Sequence, residues 1–108
     1  AEALVRRMKS QEVKSIKMDE LELNPFTMQV FVNGVEIELP PKEYFILKLL
    51  MENKGQVFSR ESIINRVWEY DFDGTDRVVD SLIKKLRKDL GEPGKRIVTL
   101  FGRGYKIQ

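Results

Sequence analysis

Apolar and polar residues alternate between positions 16 and 39, which is the two-residue period of half-buried β-strands. Asn24-Pro25 and Asn33-Gly34 interrupt the alternation, and the second pair supplies the positive-φ residues of a two-residue hairpin turn. We therefore expect strands 27–32 and 35–39 to pair antiparallel, within an N-terminal meander of three or four strands. The alternating positions are Ile16, Met18, Leu21, Leu23, Met28, Val30, Val32, Val35, Ile37 and Leu39.

Three amphipathic helices are predicted after the strands, at about 41–53, 60–70 and 76–90. Ser59 is a suitable N-cap for the second helix, and Gly91 is suited to end the third. Apolar residues recur three and four positions apart in each helix, so each has one face for a core. These faces carry Tyr44, Ile46, Leu47, Leu50 and Met51 in the first helix, Ile63, Ile64, Val67 and Trp68 in the second, and Val79, Leu82, Ile83, Leu86 and Leu90 in the third.

A short hairpin is predicted at 97–108, after a brief loop. The order of strands, three helices and hairpin predicts an α+β fold, a winged helix-turn-helix in which the hairpin is the wing. Arg103 lies between Gly102 and Gly104. An extended arginine flanked by glycines suits a narrow minor groove of strong negative potential, although a solvated arginine on a hairpin is the alternative.

The third helix has a cationic face opposite its apolar stripe. From Arg77 onward the chain holds nine Lys/Arg and three Asp/Glu, whereas residues 1–76 hold ten and fourteen. A small serine at the middle of this face permits close approach to a DNA major groove, about 12 Å wide. The face predicts contact with double-stranded DNA, and a solvated surface helix is the alternative. Its residues are Arg77, Ser81, Lys84 and Lys88, flanked by Asp80, Lys85 and Arg87.

Composition narrows the classes of function. The 108 residues include no cysteine and no histidine, which nearly excludes disulfides and the usual zinc, iron and copper sites. The acidic residues at 71, 73 and 76 resemble part of a calcium loop, but the loop's closing glutamate is missing. No apolar run approaches the roughly 20 residues that span a bilayer. We expect no cofactor, no metal, no enzymatic activity and no membrane segment.

Four motifs together resemble the effector domain of OmpR/PhoB-type response regulators, the winged-helix transcription factors of bacterial two-component systems. The resemblance covers the chain from about Met18 to Gln108. Four ordered motifs at compatible spacings are far more specific than any one of them. They are Leu39-Pro40-Pro41-Lys42-Glu43-Tyr44, Gly55-Gln56-Val57-Phe58-Ser59-Arg60-Glu61 with Val67-Trp68, Arg77-Val78-Val79-Asp80 with Leu86-Arg87, and Gly102-Arg103-Gly104-Tyr105.

The resemblance implies a four-stranded N-terminal sheet, a three-helix core and a wing, with the third helix in the major groove and the wing in the minor groove. It also implies a bacterial, cytoplasmic protein that regulates transcription and binds DNA as a dimer, although this chain alone is expected to be monomeric. Family residues that face bases or nearby phosphates correspond to Ser81, Lys84 and Lys85. Those at or beside the DNA backbone correspond to Arg60, Trp68, Arg77 and Thr99.

Two segments outside the helices and wing acquire roles from the same resemblance. Residues 1–15 resemble the end of the last helix of a receiver domain and a linker, with the DNA-binding domain at 16–108. The loop 69–75 corresponds to the segment through which several relatives contact RNA polymerase. Its residues in that role are Tyr70, Asp71, Phe72, Asp73 and Gly74.

The chain departs from the family pattern at the wing. Phe101 lies where the family often has an arginine, and Arg103 lies two positions later, where a small residue is common. The sequence leaves open which of these two residues enters the minor groove. A winged helix that binds an acidic protein partner is the competing class of function, because fold alone does not decide function.

Overall fold

The computed structural model describes residues 15–68 and 77–108 of the chain. The chain divides into two compact units, with the boundary between Glu38 and Leu39. Except for Ser15, the helix end and linker predicted at residues 1–15 lie outside the described residues. None of the helices in the described ranges is long and apolar enough to cross a membrane.

The first unit contains a four-stranded antiparallel sheet, as predicted. Its strands follow the chain order and are β1 (Ile16–Met18), β2 (Leu21–Asn24), β3 (Gln29–Val32) and β4 (Val35–Ile37). Asn33 and Gly34 have φ values of 52° and 80°, which confirms the predicted hairpin turn. Leu23 lies opposite Val30 in the register, so that apolar side chains share one face of the sheet.

The alternation overestimates burial at the ends of the second hairpin. Met28 is 46% exposed and Val35 is 64% exposed, although both belong to the apolar pattern. Met28 lies in the turn before β3 with a φ of 60°, and Val35 begins an edge strand that has a neighbour on one side only. The two strands of this hairpin are also shorter than predicted. The buried apolar residues of the sheet are Met18, Leu21, Leu23 and Val30.

The second unit contains the three predicted helices, α1 (Pro41–Glu52), α2 (Arg60–Val67) and α3 (Arg77–Leu90). Ser59 caps α2, because its side chain accepts a hydrogen bond from the Ser62 N–H at 3.0 Å. At the start of α1, Pro40 makes no side-chain cap bond. Helix α2 ends two or three residues earlier than predicted, because Trp68 is already extended.

The core of this unit lies where the three helices and the hairpin meet. The predicted stripe of α3 is confirmed at four of its five positions, and Leu82 is half-buried. A 3₁₀ helix at Glu92–Arg96, which the sequence pattern did not predict, joins α3 to the hairpin. The core residues are Tyr44, Ile46, Leu47, Leu49, Leu50, Met51, Phe58, Ile63, Ile64, Val67, Val79, Ile83, Leu86, Leu90, Ile97, Tyr105 and Ile107.

The wing is the hairpin of β5 (Ile97–Leu100) and β6 (Gly104–Ile107). Phe58, just before α2, exchanges two backbone hydrogen bonds with Tyr105 of the wing, at 2.8 and 2.9 Å. A side chain at Gly104 would place its Cβ 2.0 Å from the Phe58 carbonyl oxygen, so only glycine permits this approach. The base of the wing is therefore fixed to the segment that leads into α2.

Candidate nucleic-acid interface

Helix α3 presents a continuous cationic face to solvent. Arg77, Ser81, Lys84, Lys85 and Lys88 are all exposed. Within residues 15–68 and 77–108, we find no hydrogen bond or ion pair of the Arg77, Lys84 and Lys88 side chains with another residue. These cations are therefore available to an external anion. The structure places the predicted residues of α3 on one face, as their spacing requires.

Asp80 is the acidic residue in the first turn of α3, and its carboxylate joins three elements. Tyr105 of β6 donates a hydrogen bond from its hydroxyl to Asp80 Oδ1. Arg60 at the start of α2 places Nη1 3.5 Å from Asp80 Oδ2. Burial, followed by the interaction with Asp80, raises the pKa of Tyr105 to about 12. The carboxylate therefore fixes α2, α3 and the wing together.

Arg87 was expected at the edge of the cationic face, but the structure directs it to the wing. Its Nε and Nη2 atoms donate to the Ile97 carbonyl oxygen at 3.0 and 2.8 Å, and Nη2 also donates to Thr99 Oγ1 at 2.7 Å. The guanidinium lies 5.9 Å from the ring centre of Tyr105. Arg87 thus holds the wing against α3. Thr99, predicted beside the DNA backbone, accepts this bond and keeps its own hydroxyl proton for another acceptor.

Lys85 differs from the other lysines of α3 because a buried acid lies beneath it. Lys85 Nζ is 3.9 Å from Glu43 Oε2, and the Glu43 side chain of α1 is fully buried. Burial, followed by the Asp89 carboxylate through hydrogen bonding and then through its charge, raises the pKa of Glu43 to about 7, while the charge of Lys85 acts in the opposite direction. Part of the Lys85 charge is therefore balanced within the protein.

A concave surface of about 510 Å³ lies between the start of α2, the first turn of α3 and the wing. It brings together three residues that were predicted separately, Arg60, Thr99 and Arg103, and it adds Phe101. Lys84 and Lys88 do not line it, so they belong to the neighbouring face of α3. We call this concavity the wing cleft; its lining residues are Ser59, Arg60, Glu61, Asp80, Thr99, Leu100, Phe101, Gly102, Arg103, Gly104 and Tyr105.

Trp68 follows α2, half-buried, and Lys42 Nζ lies 5.2 Å from the centre of its ring. The same ammonium group is 3.5 Å from the Val67 carbonyl oxygen. This environment is consistent with both the packing role and the backbone contact considered for Trp68. The loop predicted to contact RNA polymerase lies outside the described residues.

The structural roles of Asp80, Glu43 and Arg87 were not predicted from the sequence. These residues meet partners that are 10 to 42 positions away in the chain, so helical periodicity carries no information about them. The resemblance did contain one indication, since Asp80, Arg87 and Tyr105 all fall within the quoted motifs.

Three helices, with a hairpin fixed to the second and third, define a winged helix-turn-helix domain. The chain belongs to the family described as "Transcriptional regulatory protein, C terminal", whose model matches residues 34–107. The match includes all three helices and the wing. The predicted fold and the resemblance to the OmpR/PhoB class are therefore confirmed.

A curated relative and two solved structures illustrate the membership of this chain in the family. The chain is 41% identical over 112 residues to the uncharacterized transcriptional regulatory protein YclJ of Bacillus subtilis, covering 97% of this chain and 49% of that protein. The structure of this chain resembles the DNA-binding domain of Klebsiella pneumoniae RstA in complex with the RstA box. The TM-score is 0.77 at 30% identity, covering 87% of this chain and 96% of the RstA domain.

The second structure is that of response regulator DrrB, a Thermotoga maritima OmpR/PhoB homolog. Its TM-score is 0.77 at 35% identity, covering 87% of this chain and 44% of DrrB. The chain spans about half the length of the curated relatives with which it aligns over nearly all of its residues. The similarity therefore concerns one domain of longer regulators.

Proposed function

We propose that this chain binds double-stranded DNA sequence-specifically, as the output domain of a response regulator that controls transcription. The observation that carries the proposal is the outward face of α3. Five exposed residues follow one another around the helix there, four of them cationic, and none is acidic. Two acids border this face: Asp80 is held by Arg60 and Tyr105, and Asp89 lies beside the buried Glu43. A uniformly cationic helical face with one small serine suits the major groove.

The residues divide into two roles in this proposal. Ser81, Lys84 and Lys85 face the base edges, while Arg77, Lys88 and Arg60 contact phosphates on either side. Thr99 and Trp68 support the backbone contacts, and the wing with Arg103 meets the minor groove. Membership of the family and the likeness to the RstA domain, whose structure is that of a DNA complex, support this arrangement.

Finer parts of the proposal concern the whole regulator. The relatives are about twice as long as this chain, which supports a receiver domain before residue 16. We extend the proposal to a cytoplasmic regulator that binds DNA as a dimer and contacts RNA polymerase through residues 69–75. The stoichiometry of the chain on one-site and two-site duplexes, measured by gel shift, tests the dimer.

The proposal is tested by selecting bound sequences from a pool of random duplexes with this chain. Sequence-specific binding enriches one motif over successive rounds, and the motif persists when the salt concentration is raised. The enriched duplex is then compared with a shuffled duplex in a competition assay. Specific binding typically exceeds non-specific binding by at least about 10³-fold. Enrichment of no motif, together with equal affinity for both duplexes, would reject DNA recognition in favour of a protein-interaction module.

A further inference from the structure

Phe101 is the most exposed large apolar residue in the described ranges, at 93%. It occupies the turn between β5 and β6, where the Arg103 N–H donates to the Leu100 carbonyl oxygen at 2.9 Å. Gly102 follows it with a φ of 76°, the value that such a turn requires at its third residue. The hydrogen-bonded turn therefore holds the aromatic ring at the tip of the wing, directed away from the core.

The tip is mounted on a rigid base. The wing exchanges backbone hydrogen bonds with Phe58, Arg87 joins its first strand to α3, and Tyr105 joins its second strand to Asp80. A turn whose backbone is held on a framework with so many fixed points loses little backbone freedom on binding. The wing therefore presents Phe101 to a binding partner without first having to rearrange.

The electrostatic surroundings indicate the chemistry of that contact. Residues 95–108 contain four Lys/Arg and no Asp/Glu. Phe101 and Arg103 line the wing cleft together with Arg60. An acidic surface is attracted to this region, and the ring then meets whatever apolar surface lies behind the acidic groups. In DNA, deoxyribose and base edges lie directly behind the phosphates of each groove.

We propose that Phe101 is an apolar wedge that enters the DNA minor groove and partly unstacks a base step. This inference rests on the proposed function, which places α3 in the adjacent major groove. A single ring on a narrow turn suits a groove about 6 Å wide. Apolar wedges in the minor groove kink DNA, and pyrimidine–purine steps yield most easily. Phe101 thus adds indirect specificity, because its ring offers no hydrogen-bond donor or acceptor.

The test uses the enriched duplex and three variants of this chain. We expect Phe101→Ala to lower affinity by about 5- to 100-fold, as the loss of one base–aromatic contact does elsewhere. Phe101→Leu retains most of the affinity, because leucine is also an apolar wedge. Phe26→Ala is the matched control, since Phe26 is 76% exposed at the turn between β2 and β3 of the acidic unit, and its loss should leave affinity unchanged.

Two further measurements distinguish a wedge from a general weakening of the complex. The dependence of log affinity on log salt concentration should keep its slope in Phe101→Ala, because an apolar ring releases no counterions. 2-Aminopurine placed at successive adenines of the site should brighten at one step with the wild type, as unstacking predicts, and should not do so with Phe101→Ala. Selection repeated with this variant should lose its preference for a pyrimidine–purine step at that position.

Wild-type affinity of Phe101→Ala, with no bright 2-aminopurine position, would overturn the wedge. If Lys84→Ala still weakens binding in that case, the proposed function stands and only the role of Phe101 fails. If the wild type selects no sequence, the proposed function fails and the wedge fails with it. A loss in Phe101→Ala accompanied by a shallower salt slope would also overturn the wedge, because it would show displaced phosphate contacts.

Discussion

The N-terminal sheet and the region formed by α3 and the wing differ in charge but share one feature. Residues 16–38 contain one lysine and five acidic residues, whereas residues 77–108 contain nine cations and three acids. Each region nevertheless exposes a phenylalanine at a turn, Phe26 in the sheet and Phe101 in the wing. Exposure of an aromatic ring alone therefore does not identify an interface. Its electrostatic surroundings decide which macromolecule can approach it.

The basic region itself contains two kinds of cation. Arg87 is engaged by the wing, so it maintains the shape of the surface, whereas Arg60 pairs with Asp80 but its side chain stays exposed. Lys84 and Lys88 make no such contact with residues in the two described segments, and they carry the charge that the surface offers. Counting lysines and arginines therefore overstates the number that DNA can meet.

The largest expected effect is the response of the basic region to salt. If Arg60, Arg77, Lys88 and Arg103 each neutralise one phosphate, log affinity falls by about 0.9 per contact for each tenfold rise in salt. Raising salt from about 50 to 200 mM should then lower affinity by roughly 10²–10³-fold. Fluorescence anisotropy with the enriched duplex measures this slope. A change smaller than about fivefold would mean that the charge contrast between the two regions does not drive binding.

The buried acid beneath α3 should give the next largest effect. The pKa of Glu43 is raised to about 7 from 4.5, so its protonated form is stabilised in the folded state. This stabilisation is complete below about pH 4.5 and is lost as the pH rises through about 7. We expect wild type to lose up to about 3 kcal/mol of unfolding free energy over this range relative to Glu43→Gln.

Urea unfolding of both proteins at pH 4.5, 6 and 8 checks this difference. Glu38→Gln is the matched control, because Glu38 is an exposed carboxylate outside the helices. Parallel pH profiles for wild type and Glu43→Gln would show that Lys85 compensates the buried charge fully. The lysine would then be less available to DNA than its exposure indicates.

Replacing one lysine in each region compares their roles directly. Lys84→Ala should weaken binding to the enriched duplex by roughly 10- to 100-fold and relax the preference at one base pair. Lys17→Ala removes the same charge from β1 and should change affinity little. Equal losses for the two variants would contradict the assignment of binding to α3 and would point to a general attraction.

Arg87→Ala should separate structural from binding cations within the basic region. Loss of the hydrogen bonds to Ile97 and Thr99 should lower the unfolding free energy by about 2 kcal/mol, because charged donors make strong bonds. The folded variant should retain most of its DNA affinity at a temperature well below its melting midpoint. A loss as large as that of Lys84→Ala, without destabilisation, would place the guanidinium at the DNA surface instead.

Arg103→Ala should give the smallest effect. Removing one phosphate contact should reduce the magnitude of the salt slope by about 1 and weaken binding only a few-fold, nearly uniformly across sequences. Phe101→Ala provides the comparison, because it should change sequence preference without changing the slope. Arg103→Lys should restore the slope, since lysine supplies the same charge. An unchanged slope in Arg103→Ala would show that the arginine stays solvated in the complex and contacts no phosphate.

Local features of the chain were predictable because their causes are local. The turn at Asn33-Gly34 follows from backbone conformations that few residues adopt, and the cap at Ser59 follows from one hydroxyl and one nearby N–H. The stripe and the cationic face of α3 follow from a period of 3.6 residues. The incorrect predictions lie at the ends of helices and strands, as at Trp68 and Val35. At these positions, contacts with neighbouring residues rather than intrinsic propensity decide conformation and exposure.

The amino-acid sequence by itself determined the order of elements, the core stripe of each helix and the concentration of positive charge after Arg77. The tertiary structure alone decided which of those charges remain available. Arg87 and Asp80 find partners 10 to 25 positions away, and Glu43 is buried beneath a lysine 42 positions further on. Such contacts depend on how helices and hairpin pack in three dimensions, and helical periodicity within one element cannot report them.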